Sequence, residues 1–130
     1  MRPEELIEAA KQAMEKAYAP YSGYRVGAAL LCADGRVFTG CNVENAAFSP
    51  TICAERTAFA KAVSEGYRDF RAIAVCGGKD GIITGIFPPC GVCRQVMAEF
   101  CRGDFEVYLA SALGYERRTL CQLLPEHFNL

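Results

Sequence analysis

The order and period of the apolar segments predict an α/β protein. The expected architecture is a three-layer α-β-α sandwich around one mixed, five-stranded sheet, with residues 1–130 in a single domain. Three observations carry this. The segments run α-β-β-α-β-α-β-(β)-α, a hairpin followed by βαβαβ units, which puts helices on both faces of a mixed sheet. The run Phe70–Cys76 (FRAIAVC) is apolar almost throughout, as a strand covered on both faces should be. A chain of 130 residues holds one core and is short for two.

Taken in order, Leu6, Ala10, Met14 and Ala17 recur at helical spacing, so a helix is expected from Pro3 to about Tyr18, with Pro3 in its first turn and Pro20 ending it. Tyr24–Cys32 and Val37–Asn42 read as strands around the Asp34-Gly35 turn. A loop over 43–50 leads to a helix over 51–65, stopped by Gly66. After the strand Phe70–Cys76, residues 77–88 read as a loop whose glycines lack the GK[ST] of a phosphate cradle. A second core helix is expected over 89–101, a strand over 105–110, a short strand over 116–120 and a final short helix from Leu120 to Leu124, broken by Pro125.

Composition removes several functions. Fourteen basic and fifteen acidic residues give a net charge of −1, and Arg117-Arg118 is the only adjacent basic pair, so nucleic acid is not an expected partner. No apolar run approaches the ~20 residues of a membrane span. The start MRPEELIEAAKQ is charged throughout and lacks a signal-like apolar region, which makes the cytoplasm the expected compartment. Eight cysteines in such a chain are expected to be reduced thiols, some of them metal ligands, rather than a disulfide framework.

The chemistry concentrates in two stretches. In Pro89-Cys90-Gly91-Val92-Cys93 the two thiols lie three apart, on one side of a first helical turn, where the helix dipole favours thiolates. Alone, this motif suits half of a zinc site, a redox pair or two core thiols. Cys53, at the start of the other core helix, can add a third sulfur if the two helix N-termini meet at one end of the sheet. Cys41, Cys76, Cys101, Cys121 and His127 are candidates for a fourth ligand that would close the site; without one, a position stays open for water. Glu55 is placed to act as general acid and base there. Residues i and i+2 of a regular helix point apart, so Cys53 and Glu55 can share a site only if Cys53 sits at an unwound helix start. Three thiolates overcharge a zinc ion, and Arg56, next in sequence, can donate hydrogen bonds to sulfur as a supporting group.

Taken together, the stretches APYS from Ala19, VGAAL from Val26, GCNVENA from Gly40, CAER from Cys53 and PCGVCRQ from Pro89 resemble the small, zinc-dependent, homotetrameric cytidine deaminases, nearly end to end. The resemblance implies a cytidine deaminase-like fold with one zinc per subunit, held by Cys53, Cys90 and Cys93, and water in the fourth position. It implies that Glu55 shuttles the proton to N3 and then to the leaving amine of cytidine or 2′-deoxycytidine, giving uridine or 2′-deoxyuridine and ammonia in pyrimidine salvage. It further implies that the Ala54 backbone meets the base edge, that Asn42 and Glu44 bind the sugar hydroxyls, that Tyr24 packs near the base where Phe is frequent in the family, and that Phe128 reaches into a neighbouring subunit's site. Phe48 stands where Tyr is common, so no hydroxyl contact is expected there. The competing readings are a deaminase of a related small substrate, such as a nucleoside antibiotic, and a non-catalytic zinc-stabilised binding protein, which would need a fourth protein ligand.

Overall fold

Side chains alternate along β1 (Tyr24–Cys32), and this alternation creates the two cores. Val26, Ala28, Leu30 and Cys32 face one side of the sheet; Ala29 and Leu31 face the other. The computed structural model describes all residues from Met1 to Leu130. The elements are α1 (Pro3–Met14), β1, β2 (Val37–Cys41), α2 (Ala54–Ser64), β3 (Phe70–Lys79), α3 (Gly91–Phe100), β4 (Glu106–Ser111), β5 (Gly114–Thr119) and α4 (Leu120–Leu123). The sheet order is β2-β1-β3-β4-β5. Only β3 and β4 are parallel, joined by a crossover through α3; the other pairs are antiparallel. This is the expected mixed, five-stranded sheet between helical layers.

One layer is α1, whose Leu6, Ile7, Ala10 and Met14 cover Ala29, Leu31, Ala72, Ala74 and Cys76. The other holds α2 and α3 over Ile73, Val75, Val107 and Leu109. The expectation that β3 is buried on both faces holds for Ala72 to Gly78. An aromatic cluster ties the second layer together: Phe59 of α2 meets Phe70 edge-on at 5.2 Å and stacks on Phe100 of α3 at 6.1 Å. Three of the eight thiols have ordinary interior roles: burial pushes Cys76 up to about 11 and Cys101 up to about 12, and Cys32 is buried; Cys121 is exposed, beside Gly103. No helix is long and apolar enough to cross a membrane.

Three boundaries differ from the sequence expectation by three residues or more. Helix α1 ends at Met14 rather than near Tyr18, because the Tyr18 backbone is taken by the segment after β2: Tyr18 N–H donates to Asn42 O at 3.0 Å, and Glu44 N–H donates to Tyr18 O at 2.9 Å. Helix α2 begins at Ala54, not at Thr51. Strand β3 continues three residues past Cys76, since the ladder with β1 runs on through Val26↔Gly77, Arg25↔Gly78 and Tyr24↔Lys79.

Two strand glycines set the helix layers close to the sheet. A Cβ on Gly27 would stand 2.0 Å from Ala10 O and 2.6 Å from Met14 N, inside the backbone of α1. A Cβ on Gly40 would stand 2.5 Å from Ala54 O and 2.6 Å from Ala58 N, inside the first turns of α2. Gly27→Ala should therefore lower stability by about 1–3 kcal/mol, as overpacking does, whereas Gly85→Ala, which meets nothing within 4 Å, should stay within about 0.5 kcal/mol of the parent. Denaturant unfolding followed by circular dichroism reads both; equal stabilities would contradict the packing described here.

Candidate metal centre

Both helices of the second layer start at a cysteine. Cys53 is the N-cap of α2, with extended backbone at φ −76° and ψ 155°. Cys90 is the N-cap of α3, at φ −70° and ψ 168°, and its sulfur accepts from the Cys93 N–H at 3.5 Å. Here sulfur takes the place that Ser or Asp oxygen usually holds at a helix start. The extended Cys53 removes the i, i+2 conflict: Cys53 lies outside the helical turn, and Glu55 at the second helical position need not point away from it. The irregular start required by the chemistry is thus present. The strand-like contact between Val43 and Ile52 holds the approach to it, with Val43 N–H donating to Ile52 O and Ile52 N–H to Val43 O, each at 3.0 Å.

The two helix starts bring three sulfurs together. The Sγ atoms of Cys53, Cys90 and Cys93 lie within 4.8 Å of one another, and Cys53 to Cys90 is 3.7 Å. Sulfurs on a tetrahedral zinc at ~2.3 Å stand roughly 3.8 Å apart, so the donor set fits zinc in type and spacing. No other Cys, His, Asp or Glu joins the cluster. Of the candidates for a fourth ligand, Cys76 lies on the opposite face of the sheet, 3.9 Å from Met14 Sδ, and Cys101 caps the far end of α3. The three sulfurs therefore leave a tetrahedral ion one position free of protein.

Charge is concentrated on Cys53. Its pKa is pulled down to about 5 by the hydrogen bond with Cys93 and further by Arg56, whose Nη2 donates to Cys53 Sγ at 3.6 Å. The same bond, with burial, pushes Cys93 up. Arg56 also keeps a buried Nε with no acceptor, facing no carboxylate. Glu55 is 4% exposed and takes part in no ion pair. Burial, then the charge on Cys53, lifts its pKa to about 7.

Cys53, Ala54, Glu55 and Cys90 line one cleft of about 230 Å³, together with Tyr24, Asn42 and Glu44. Asn42 and Glu44 are also structural. Asn42 Oδ1 accepts from Val26 N–H at 2.9 Å, and its Nδ2 donates to Tyr24 O at 2.8 Å, leaving one amide hydrogen. Glu44 accepts from the Tyr21 and Ser22 N–H groups at 3.0 Å and from the Ser22 hydroxyl, which lowers its pKa. Phe128 lies outside the cleft of its own chain: its ring is 69% exposed, and its carbonyl is held by Gln95 Nε2 at 2.9 Å. Phe48 is 81% exposed. Phe87 and Pro88 also line the cleft, outside every motif the sequence offers; the one available signal is the rigid Pro88-Pro89 pair leading into Cys90. A larger, open groove of about 710 Å³, between α1 and the β2–α2 edge, contains none of these groups.

Residues 1–109 match the sequence model of the family described as the cytidine and deoxycytidylate deaminase zinc-binding region. The chain is 52% identical over 130 residues to the cytidine deaminase of Sporosarcina psychrophila, covering 99% of this chain and 93% of that protein. It is 52% identical over 125 residues to that of Halalkalibacterium halodurans, covering 95% and 92%. The crystal structure of cytidine deaminase from Burkholderia pseudomallei matches with a TM-score of 0.91 at 50% identity, over 98% of this chain and 100% of that one.

The cluster predicts one zinc per chain by elemental analysis. Cys53→Ala should lose the metal and, because binding and folding share free energy, part of its thermal stability. Cys121→Ser, an exposed thiol outside the cluster, should keep both. Stoichiometric zinc in Cys53→Ala would show that another residue holds it.

Proposed function

The chain belongs to the cytidine and deoxycytidylate deaminase family, and from that membership we propose that it hydrolyses free cytidine and 2′-deoxycytidine to the corresponding uridines and ammonia, as one domain spanning residues 1–130. The observation that carries this reading is the pairing of an incomplete sulfur set with a buried, unpaired carboxylate in one cleft. A scaffold site would be closed by a fourth protein ligand, and a buried Glu55 without a partner would only destabilise it.

Zinc, when bound, supplies Lewis acidity that makes water nucleophilic near neutral pH. The proton work falls to Glu55. With a pKa lifted to about 7, its carboxylate both accepts and returns a proton without a large penalty. It takes one proton of the attacking water and delivers it to N3; once the hydroxyl has added to C4, it takes that hydroxyl's proton and passes it to the amine, which leaves as ammonia as the C4–N bond breaks and the C4 carbonyl forms. Arg56 stabilises the charge on Cys53 from outside the cleft. Ala54 is the first helical residue of α2, so its N–H has no helical acceptor and is available to the base edge. The unspent amide hydrogen of Asn42 and the remaining lone pairs of Glu44 suit sugar hydroxyls, while Tyr24 packs by the base. An anionic Glu44 at the sugar end and a net charge of −1 favour a nucleoside over a nucleotide.

Phe128 points outward on a tethered tail, which supports a homotetramer in which it completes a neighbour's cleft. A cytoplasmic role in pyrimidine salvage is consistent with eight unpaired thiols.

Two outcomes are expected. Glu55→Gln should retain zinc while kcat, read from the absorbance change of cytidine, falls on the order of 10³-fold; a fully active variant would sink the proton shuttle. Light scattering should give a mass of four chains, and Phe128→Ala should raise KM without changing that mass. A monomer with full activity would refute a role for Phe128 in trans.

A further inference from the structure

We propose that Phe87 is a substrate-contacting residue: stacked with Tyr24, it forms the apolar wall against which the pyrimidine ring lies. This rests on the deaminase reading above and deepens it.

Phe87 lines the same cleft as Glu55 and Cys90. Its ring stacks on Tyr24 with centroids 6.0 Å apart and planes 29° from parallel. That separation falls within the about 4.5–7 Å of a direct aromatic pair, so the rings pack on each other and leave no slot between them. They act as one wall rather than a clamp. The wall is fixed from behind. Phe87 sits on the bare backbone of β3 at Gly77, where a Cβ would come within 3.0 Å of its Cγ and Cδ1. It is fixed along the chain as well, because Pro88 and Pro89 separate it from Cys90 and lock two successive φ angles. The ring is therefore held in register with the sulfur cluster.

The chemistry calls for such a surface. The polar side chains of the cleft, Glu55, Asn42 and Glu44 among them, recognise edges and hydroxyls, and the rest of its apolar lining, Val26, Ile52 and Pro88, presents no flat face to a planar ring. A small-molecule site needs an apolar wall for that, and aromatic contact with a base is sequence-tolerant and substantial.

Phe87→Ala in the zinc-loaded enzyme tests this, with steady-state kinetics on cytidine and calorimetric binding of the product uridine. KM and the uridine Kd should rise together, on the order of ten-fold, while kcat falls by less than about three-fold. Phe87→Leu, which keeps apolar bulk without a ring, should give a smaller rise of about three-fold in both constants, and it is the variant to read if the alanine form loses zinc. Gly77→Ala, which crowds the ring from behind, should move both constants in the same direction. A folded, zinc-loaded Phe87→Ala enzyme with parental KM and uridine affinity would overturn the inference, as would a loss of kcat with unchanged uridine binding. If the parent itself fails to deaminate cytidine, the functional reading falls instead, so the two failures are distinguishable.

Discussion

Two helix N-termini must be held so close that the sulfurs of their N-cap cysteines touch, and the rest of the molecule is organised around that demand. Cys53 is the N-cap residue of α2 and Cys90 that of α3, and 3.7 Å separates their sulfurs. Like-facing dipole ends repel one another, and only negative charge between them makes the arrangement favourable. The fold supplies the mechanical part. Gly40 lets α2 sit directly on β2, the crossover from β3 to β4 fixes α3, and the Phe59–Phe100 stack joins the two helices behind their N-termini. The thiolates supply the electrostatic part. A metal site of this type is consequently inseparable from the helix packing that presents it.

The same geometry explains how a carboxylate can be buried without an ion pair. Glu55 follows the capping cysteine by two residues and belongs to the helical turn that packs on the sheet. Burial raises its pKa, and the anionic Cys53 raises it further. Arg56 opposes this only weakly because it is turned towards the sulfur. Had Arg56 faced Glu55 instead, the carboxylate would be held ionised and proton return would be harder. One residue of sequence thus separates a buried carboxylate with a raised pKa from a guanidinium that donates to sulfur.

Much of this was legible in the sequence, and the parts that were not have a common cause. The α-β-β-α-β-α-β order and the apolar run FRAIAVC predicted the sheet and its layers because periodicity reports burial directly. The extended start at Cys53 was legible only as a chemical requirement, since nothing in the propensities of TICAERTAF demands it. The end of α1 was not legible, because the Tyr18 backbone is captured by residues 42 and 44, distant in sequence. The continuation of β3 through Gly77 and Gly78 reads as a loop in the sequence because glycine signals loops locally. Here those glycines answer close approaches, of the Phe87 ring at Gly77 and of Ile82 O at Gly78, that exist only in three dimensions. Phe87 was missed for the same reason.

The polar groups of the cleft carry a last consequence of this design. Asn42 spends both kinds of side-chain polar atom on the backbone at the start of β1, and Glu44 accepts three hydrogen bonds from the turn before it. Side chains used so fully for structure cannot swing to meet a ligand; what capacity remains to them points in a fixed direction. Fixed donors and acceptors give up adaptability, but they lose little conformational entropy when a ligand arrives. Tyr24 is positioned by this network as well, since Asn42 holds its carbonyl and the Ser22 hydroxyl accepts from its N–H. Asn42, Glu44 and Tyr24 are therefore parts of one hydrogen-bonded unit, and a change at Asn42 would be felt at the Tyr24–Phe87 pair as well.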